Sequence, residues 1–245
     1  MSARPMSYSI EGREFSLPCE VRHAISGAAT YLVPATAAAA LLAGPEIEIA
    51  RMLPGKALCS IAMIDYQDND LGDYNEVSIS FFVRPRGDRP TLPYLGNWID
   101  LTRSRLGVHI IHLPVNQSFT CEAGRTIWGY PKTVQEIDID YANDRATCKL
   151  VYDGQHALTL TVPRGGDKSV SGQKMTTYSY IEGVPHVTSA DQGAEGMGVS
   201  FSGAELTLGT GVIADQLRSL GLPKRPLMCA WMERMYATFG PAEKL

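Results

Sequence analysis

The chain has 245 residues, of which 44% are hydrophobic and 20% are charged, and its formal net charge is −4. This composition is typical of a globular protein with a sizeable core, and the length allows one large domain or two small ones. The acidic balance, without any run of lysine or arginine, argues against nucleic-acid binding. No apolar stretch approaches the ~20 residues of a membrane-spanning helix, so we expect no membrane partner.

The cysteines and the N-terminal residues bear on the cellular compartment. The five cysteines are odd in number, dispersed and never spaced as Cys-x-x-Cys. This pattern is typical of reduced thiols and not of a disulfide framework or a zinc site. Residues 1–15 are polar and carry no apolar core of a signal peptide. Together these features predict a cytoplasmic protein.

The first half of the chain predicts strands separated by short helices and loops. Residues 77–83 alternate most clearly, with apolar residues on one face and Glu76, Ser78 and Ser80 on the other. Residues 68–73 and 84–93 are rich in turn formers or proline and predict exposed connections. The remaining predicted elements are strands over 21–33, 46–50, 56–66 and 108–115, helices over 35–43 and 97–106, and a helical turn over 117–123.

The second half predicts an antiparallel meander followed by a loop and further strands. Three short strands over 134–140, 145–152 and 156–162 are separated by tight turn signals. Residues 163–174 are polar and glycine-rich and predict a mobile loop. Many short strands with few helices favour an antiparallel sheet curled into a barrel or a sandwich. Beyond the loop we predict strands over 175–182, 199–201 and 205–208, a helix over 212–220, and a strand or helix over 227–239.

One lysine directly follows an apolar segment whose backbone is conformationally restricted. It is Lys132, near the end of the segment Gly124-Arg125-Thr126-Ile127-Trp128-Gly129-Tyr130-Pro131-Lys132-Thr133. Pro131 fixes its own φ and pushes Tyr130 towards an extended conformation. Such a segment suits a lysine held in a dry pocket, where desolvation favours the neutral and nucleophilic amine. The alternative is a surface lysine after a turn proline.

Two segments of the chain carry a resemblance to a known family. Gly124-Arg125 followed by Tyr130-Pro131-Lys132 is similar to the pattern that ends on the Schiff-base lysine of the acetoacetate decarboxylase family. Leu71-Gly72-Asp73-Tyr74-Asn75-Glu76 resembles that family's Leu-Gly-x-Tyr-x-Glu segment, and the likeness spans roughly residues 20–163. The resemblance implies a single domain over residues 1–245, mainly β with small helices (α+β), whose antiparallel sheet forms a closed cone-like barrel. It also implies a homo-oligomer and no cofactor.

The resemblance assigns roles to individual residues. Lys132 would form the imine, and Glu76 would be catalytic as an orienter or proton shuttle. Arg22 would bind the substrate carboxylate through charge-assisted bonds, as an arginine near the N-terminus does in the family. Trp128 and Tyr130 are candidate walls of the substrate pocket.

The chain also departs from the family pattern at three positions. Thr133 replaces a lysine, Thr126 replaces a glutamate, and a second pocket glutamate would fall at Ser60 or Ile61. Without a neighbouring lysine, burial must activate the nucleophile, which predicts a Lys132 pKa well below ~10.

Three functions remain open from the sequence. Decarboxylation of a small β-keto acid through a Lys132 imine is favoured. An aldolase-dehydratase that condenses pyruvate with an aldehyde would use the same lysine. A non-catalytic barrel that binds a small ligand is the alternative of another class.

Other motifs carry little weight. Gly209, Gly211 and Ala214 mimic a dinucleotide fingerprint, but too few residues follow to complete such a domain. His109 and His112 lie three apart on a predicted strand and face opposite sides, so they cannot share one metal ion. No cofactor and no metal ion is expected.

Overall fold

The computed structural model describes residues 6–245, in which fifteen strands and four short helices are found. Within this part of the chain, no helix is long and apolar enough to cross a membrane. The predicted polar N-terminal segment begins in residues 1–5, which lie outside the described residues. The strands are β1 (Ser7–Ile10), β2 (Arg13–Ser16), β3 (Cys19–Pro34), β4 (Ile47–Ile49), β5 (Lys56–Asn69), β6 (Tyr74–Pro85), β7 (Gly107–Val115), β8 (Lys132–Val134), β9 (Glu136–Tyr141), β10 (Arg145–Tyr152), β11 (Gln155–Pro163), β12 (Lys168–Ile181), β13 (Val184–Ser200), β14 (Glu205–Leu208) and β15 (Met228–Lys244). The helices are α1 (Ala35–Ala39), α2 (Leu95–Thr102), α3 (Ser118–Trp128) and α4 (Val212–Ser219).

Seven strands close into a barrel. Their order is β6–β5–β3–β15–β13–β12–β7, and β7 pairs with β6 to complete the ring. All neighbours are antiparallel except β7 and β12, which form a short parallel pairing. Strands β4 and β8 extend the sheet beside β6 and β7. The prediction of a mainly β fold with a closed sheet and small helices is therefore confirmed.

A second sheet packs on the outer face of the barrel. Strands β9, β10 and β11 form the predicted antiparallel meander, and β14 pairs with β11. The apolar face of β6 meets this sheet, so Ile79 and Phe81 share one buried core with Leu150 and Leu158. Because the side chains of a strand alternate, the same strand turns Glu76 and its serines into the barrel.

Two predictions for the second half of the chain were wrong or incomplete. Residues 163–174 are a loop only over 164–167, since β12 begins at Lys168 and pairs with β13 through two register shifts. Residues 168–174 are mostly exposed and polar, so they lack the alternation that marks a half-buried strand. The 17-residue strand β13 was predicted only at its end, because its buried positions carry mainly small or polar residues. The last segment is a strand, because β15 is paired on both sides, with β3 and β13.

Two predictions near the site also required correction. The predicted turn over 117–123 is a full helix, α3, which continues through the Gly-Arg motif to Trp128. The Gln117 side chain accepts a hydrogen bond from the Thr120 N–H and caps its N-terminus. Arg84 is not part of an exposed connection, because it is buried on β6 and forms ion pairs with Asp88 and Asp100.

The core between the barrel and the second sheet leads to a prediction about stability. Replacing Ile79 by alanine removes buried methyl groups between the two sheets and should destabilise the protein by about 2–5 kcal/mol. Urea unfolding should show one transition, because both sheets share the core. Ser78→Ala, on the opposite face of β6, is the matched control and should change stability by less than about 1 kcal/mol. Equal losses in the two variants would contradict this assignment of faces.

Candidate active site

Helix α3 and strand β8 position Lys132. The helix ends at Gly129, which adopts a left-handed conformation with φ 64°. There a Cβ atom would come within 2.6 Å of the Tyr180 carbonyl oxygen, so glycine fits both the backbone angle and the space. Tyr130 and Pro131 then lead into β8, which begins with Lys132.

Gly124 makes room for the lysine side chain. A Cβ atom at this position would lie 2.5 Å from Lys132 Cδ and 2.7 Å from Cε. The aliphatic stem of Lys132 therefore runs directly across the helix at the glycine of the Gly-Arg motif. This contact gives a physical reason for a glycine eight residues before the lysine.

The Lys132 amine is buried in an ion pair. Its Nζ lies 2.8 Å from Glu76 Oε2, and the two side chains are only 4% and 7% exposed. Nζ also donates a hydrogen bond to Thr120 Oγ1 at 3.0 Å. Tyr66 donates its hydroxyl to the other Glu76 oxygen at 3.3 Å, and Nζ lies 4.9 Å from the centre of the Tyr74 ring. The predicted pair Lys132 and Glu76 is brought together.

The pKa of Lys132 differs from the prediction. Burial acts to lower this pKa, but the Glu76 carboxylate, with Tyr74, outweighs it, and the pKa lies above its ordinary value. The prediction of a pKa lowered by burial was wrong, because it did not include a counter-charge at hydrogen-bond distance. Burial also raises the pKa of Tyr74 to about 12, so that hydroxyl remains a proton donor at neutral pH.

The ion pair lies at one end of a cavity of about 380 Å³ inside the barrel. Trp128 and Tyr130 both line this cavity, and their rings stack with centroids 6.0 Å apart. The Tyr130 hydroxyl is 2.7 Å from Thr177 Oγ1, and Trp128 Nε1 donates to the Gly240 carbonyl oxygen at 2.9 Å. These bonds hold the aromatic walls in place beside the lysine.

Arg22 lies outside the cavity, which corrects its predicted role in binding a carboxylate. Its neighbour Val21 lines the cavity, and alternation along β3 therefore turns Arg22 outwards. The arginine side chain is 48% exposed and forms ion pairs with Asp68 and Asp70. Among the described residues that line the cavity, the cations are Lys132 and Lys174, and Lys174 is itself exposed.

Three residues of the site were not singled out as site residues from the sequence. Tyr74 stood in the Leu-Gly-x-Tyr-x-Glu segment, and its spacing of two from Glu76 puts both on one strand face. Tyr66 reaches Glu76 because β5 pairs with β6 and sets Tyr66 opposite Tyr74. Thr120 lies one helix turn before Gly124 on α3. No local pattern marks Tyr66 or Thr120.

The structure also shows where Ser60, Ile61 and the two histidines lie. Ser60 lines the cavity, whereas Ile61 is buried in the core between the two sheets. His109 is bonded through its ring to the Tyr178 carbonyl oxygen, and His112 to Gln216. Within residues 6–245 no group of three or more metal-ligating side chains comes together.

A family model for acetoacetate decarboxylase matches residues 14–242. The chain belongs to the acetoacetate decarboxylase family. The match covers nearly the whole chain and includes both motifs and every residue of the site. None of the curated protein sequences matches the chain.

Solved structures share the fold at low sequence identity. Acetoacetate decarboxylase from Legionella pneumophila is 15% identical with a TM-score of 0.68, covering 100% of this chain and 92% of that one. The enduracididine biosynthesis enzyme MppR, complexed with the condensation product of pyruvate and imidazole 4-carboxaldehyde, is 16% identical with a TM-score of 0.63, covering 99% and 97%. An acetoacetate decarboxylase-like enzyme from Sphingomonas wittichii is 14% identical with a TM-score of 0.58, covering 93% of each chain.

The ion pair between Lys132 and Glu76 leads to a prediction about the pKa of Lys132. Glu76→Gln removes the charge that raises the Lys132 pKa and leaves the burial that lowers it. The pKa of Lys132 should therefore fall below the ordinary value of ~10.4. The pH dependence of reductive methylation, followed residue by residue by mass spectrometry, measures it. Exposed Lys149 is the internal control, and an unchanged Lys132 profile would contradict the role given to Glu76.

Proposed function

We propose that this protein is an enzyme that forms a Schiff base between Lys132 and a small keto acid, and that it decarboxylates a β-keto acid. The observation that carries the proposal is the buried Lys132 amine, 2.8 Å from Glu76, at the end of a cavity inside the barrel. Burying two charges is costly, and an ion pair placed in a cavity wall is typical of functional sites. Membership of the family supports the same chemistry.

Glu76 is the proton acceptor that the mechanism needs. With its pKa raised, Lys132 holds a proton that must leave before the amine can attack a ketone. Transfer to Glu76 across 2.8 Å gives a neutral amine beside a neutral carboxylic acid, an arrangement that a buried site tolerates. The amine then adds to the ketone carbon, and one of its two protons moves to the ketone oxygen, which becomes a hydroxyl. Glu76 gives its proton to this hydroxyl, so water leaves and the resulting iminium again faces the carboxylate.

The iminium supplies the electron sink for carbon–carbon cleavage. The bond to the substrate carboxylate breaks, carbon dioxide leaves, and the electron pair forms an enamine. Protonation of the enamine carbon and hydrolysis by water release the ketone and free Lys132. Arg22 lies outside the cavity, and the residues that line it around Lys132 are uncharged apart from Glu76. A substrate carboxylate there would have the iminium as its neighbouring cation, and its negative charge is neutralised when the carbon–carbon bond breaks and the electron pair moves to the iminium.

Condensation of pyruvate with an aldehyde is the second candidate. In this reaction the iminium loses a proton instead of a carboxylate, and the enamine attacks the aldehyde before water is lost. The structural likeness to MppR, which is described in complex with such a condensation product, supports it. The non-catalytic binding protein remains the alternative of another class. It predicts that no covalent adduct forms.

The predicted compartment and assembly remain proposals. All five cysteines are free and buried, which supports a reducing compartment such as the cytoplasm. The homo-oligomer implied by the resemblance is tested by measuring the mass in solution.

The decisive experiment is intact-protein mass spectrometry after borohydride reduction with acetoacetate or with pyruvate. We expect an acetone-sized adduct with acetoacetate, because the iminium loses carbon dioxide before it is reduced. A retained pyruvate adduct that grows when an aldehyde is added would favour condensation instead. Peptide mapping should place the adduct on Lys132.

Two variants control this experiment. Lys132→Ala should abolish the adduct, whereas Lys149→Ala, which removes an exposed lysine on β10, should leave it unchanged. The absence of any adduct across a range of keto acids would overturn the proposal in favour of a binding protein.

Gly124→Ala should separate catalysis from stability. Alanine improves helix propensity by up to ~1 kcal/mol, which partly offsets the about 1–3 kcal/mol that crowding at the buried Lys132 stem costs, so the protein should remain folded. Its Cβ would meet the Lys132 stem and displace the amine from Glu76, so adduct formation should slow at least tenfold. Thr126→Ala, at an exposed position of α3, is the control. Wild-type kinetics in Gly124→Ala would contradict the packing described for the lysine.

A further inference from the structure

The cavity extends far beyond the ion pair. Alternate residues of β6, from Glu76 through Ser78 and Ser80 to Phe82, all line it. At ~3.3 Å per residue, Phe82 lies roughly 20 Å along the strand from Glu76. Leu106, which directly precedes β7, also lines the cavity, whereas Lys132 pairs with Leu113 near the other end of that strand. The lumen therefore continues along the barrel away from the lysine.

The volume exceeds what a small keto acid occupies. A space of about 380 Å³ accommodates about a dozen water-sized groups at ~30 Å³ each. Acetoacetate has seven non-hydrogen atoms and would occupy little more than half of it. Adding about five carbons to its methyl group would fill the remainder.

The walls of this extra volume are mainly apolar. Strand β7 contributes Val108 and Ile110, and β15 contributes Met232 and Met235. Methionine side chains are flexible and adapt to ligands of different shape. The opposite wall, on β3, β5 and β6, carries small residues that leave the lumen open. These are Ser26, Ser60, Ala62, Ser78 and Ser80.

We propose that the lumen binds a hydrocarbon arm of the substrate, so that the enzyme acts on carbonyl compounds with an alkyl or aryl arm of about six carbons. The proposal rests on the imine at Lys132 set out above. In decarboxylation the arm is the ketone substituent opposite the carboxylate-bearing carbon. In condensation the arm belongs to the aldehyde. In both reactions the carbon that forms the imine is held at Lys132, and the arm runs towards Ser80.

A series of 2-alkanones tests the arm independently of which reaction follows. Acetone, 2-pentanone, 2-heptanone, 2-nonanone and 2-undecanone each form an imine with a lysine and are trapped by borohydride. We expect the half-saturating concentration to fall about fourfold for each added methylene, equivalent to ~0.8 kcal/mol, until the lumen is full. Trapping of acetone at the same concentration as 2-heptanone would overturn the proposal.

A filling variant tests the path of the arm. Ser80→Phe places a ring in the lumen roughly 13 Å along β6 from Glu76. Trapping of 2-undecanone should weaken at least tenfold, while trapping of acetone should be unchanged. Ser189→Phe, on the outward face of β13, is the matched control. Equal trapping of 2-undecanone by both variants would contradict the path, and the wild-type series remains decisive if Ser80→Phe does not fold.

Secondary alcohols separate failure of the arm site from failure of the imine chemistry. 2-Nonanol cannot form an imine, and calorimetry compares its binding with that of 2-butanol. Tighter binding of 2-nonanol without any ketone adduct would uphold the arm site and reject the proposed function. Ketone adducts without length dependence would uphold the function and reject the arm site.

Discussion

The buried ion pair of Lys132 and Glu76 is the constraint on which the site depends. Two charges in a protein interior are tolerated only when they are close and further hydrogen-bonded, as Thr120 and Tyr66 provide here. The sheet sets the distance, because β7 lies between the two strands that carry the pair. It aligns Leu113 with Lys132 on one side and Val115 with Glu76 on the other. Closure of the barrel thus holds the amine and the carboxylate in register.

The same pair changes how the lysine must be activated. Desolvation alone would favour a neutral amine, but the carboxylate at 2.8 Å stabilises the ammonium and reverses the direction of the pKa shift. In the proposed mechanism a free amine therefore arises by proton transfer to Glu76 and not by burial. Once the proposed iminium has formed, the carboxylate faces a permanent cation, so Glu76 would act first as a base and afterwards as a counter-charge.

The family resemblance singled out Lys132 and Glu76, with support from the stiff backbone at Pro131 and the strand faces of β6. Long-range pairing decides the other contacts of the site. Tyr66 reaches the site only through the pairing of β5 with β6, which no local pattern reveals. Arg22 was assigned by resemblance, and the structure turns it outwards because Val21 faces the cavity. Part of the β12–β13 hairpin was missed because residues 168–174 are polar and mostly exposed, and because the buried positions of β13 carry mainly small or polar residues.

The open lumen is also a consequence of residue size. A barrel of about eight strands has an interior that ordinary side chains just fill. Here seven strands leave a cavity of about 380 Å³, because small side chains face inwards on three adjacent strands. Ser60 on β5 pairs with Ser80 on β6, and Ala62 pairs with Ser78, so this wall projects no bulky side chain into the lumen at either level. The outward-facing residues of β6, such as Ile79 and Phe81, are large and fully buried against the second sheet. The fold is therefore stabilised from outside the barrel, which leaves the inside free to bind a ligand.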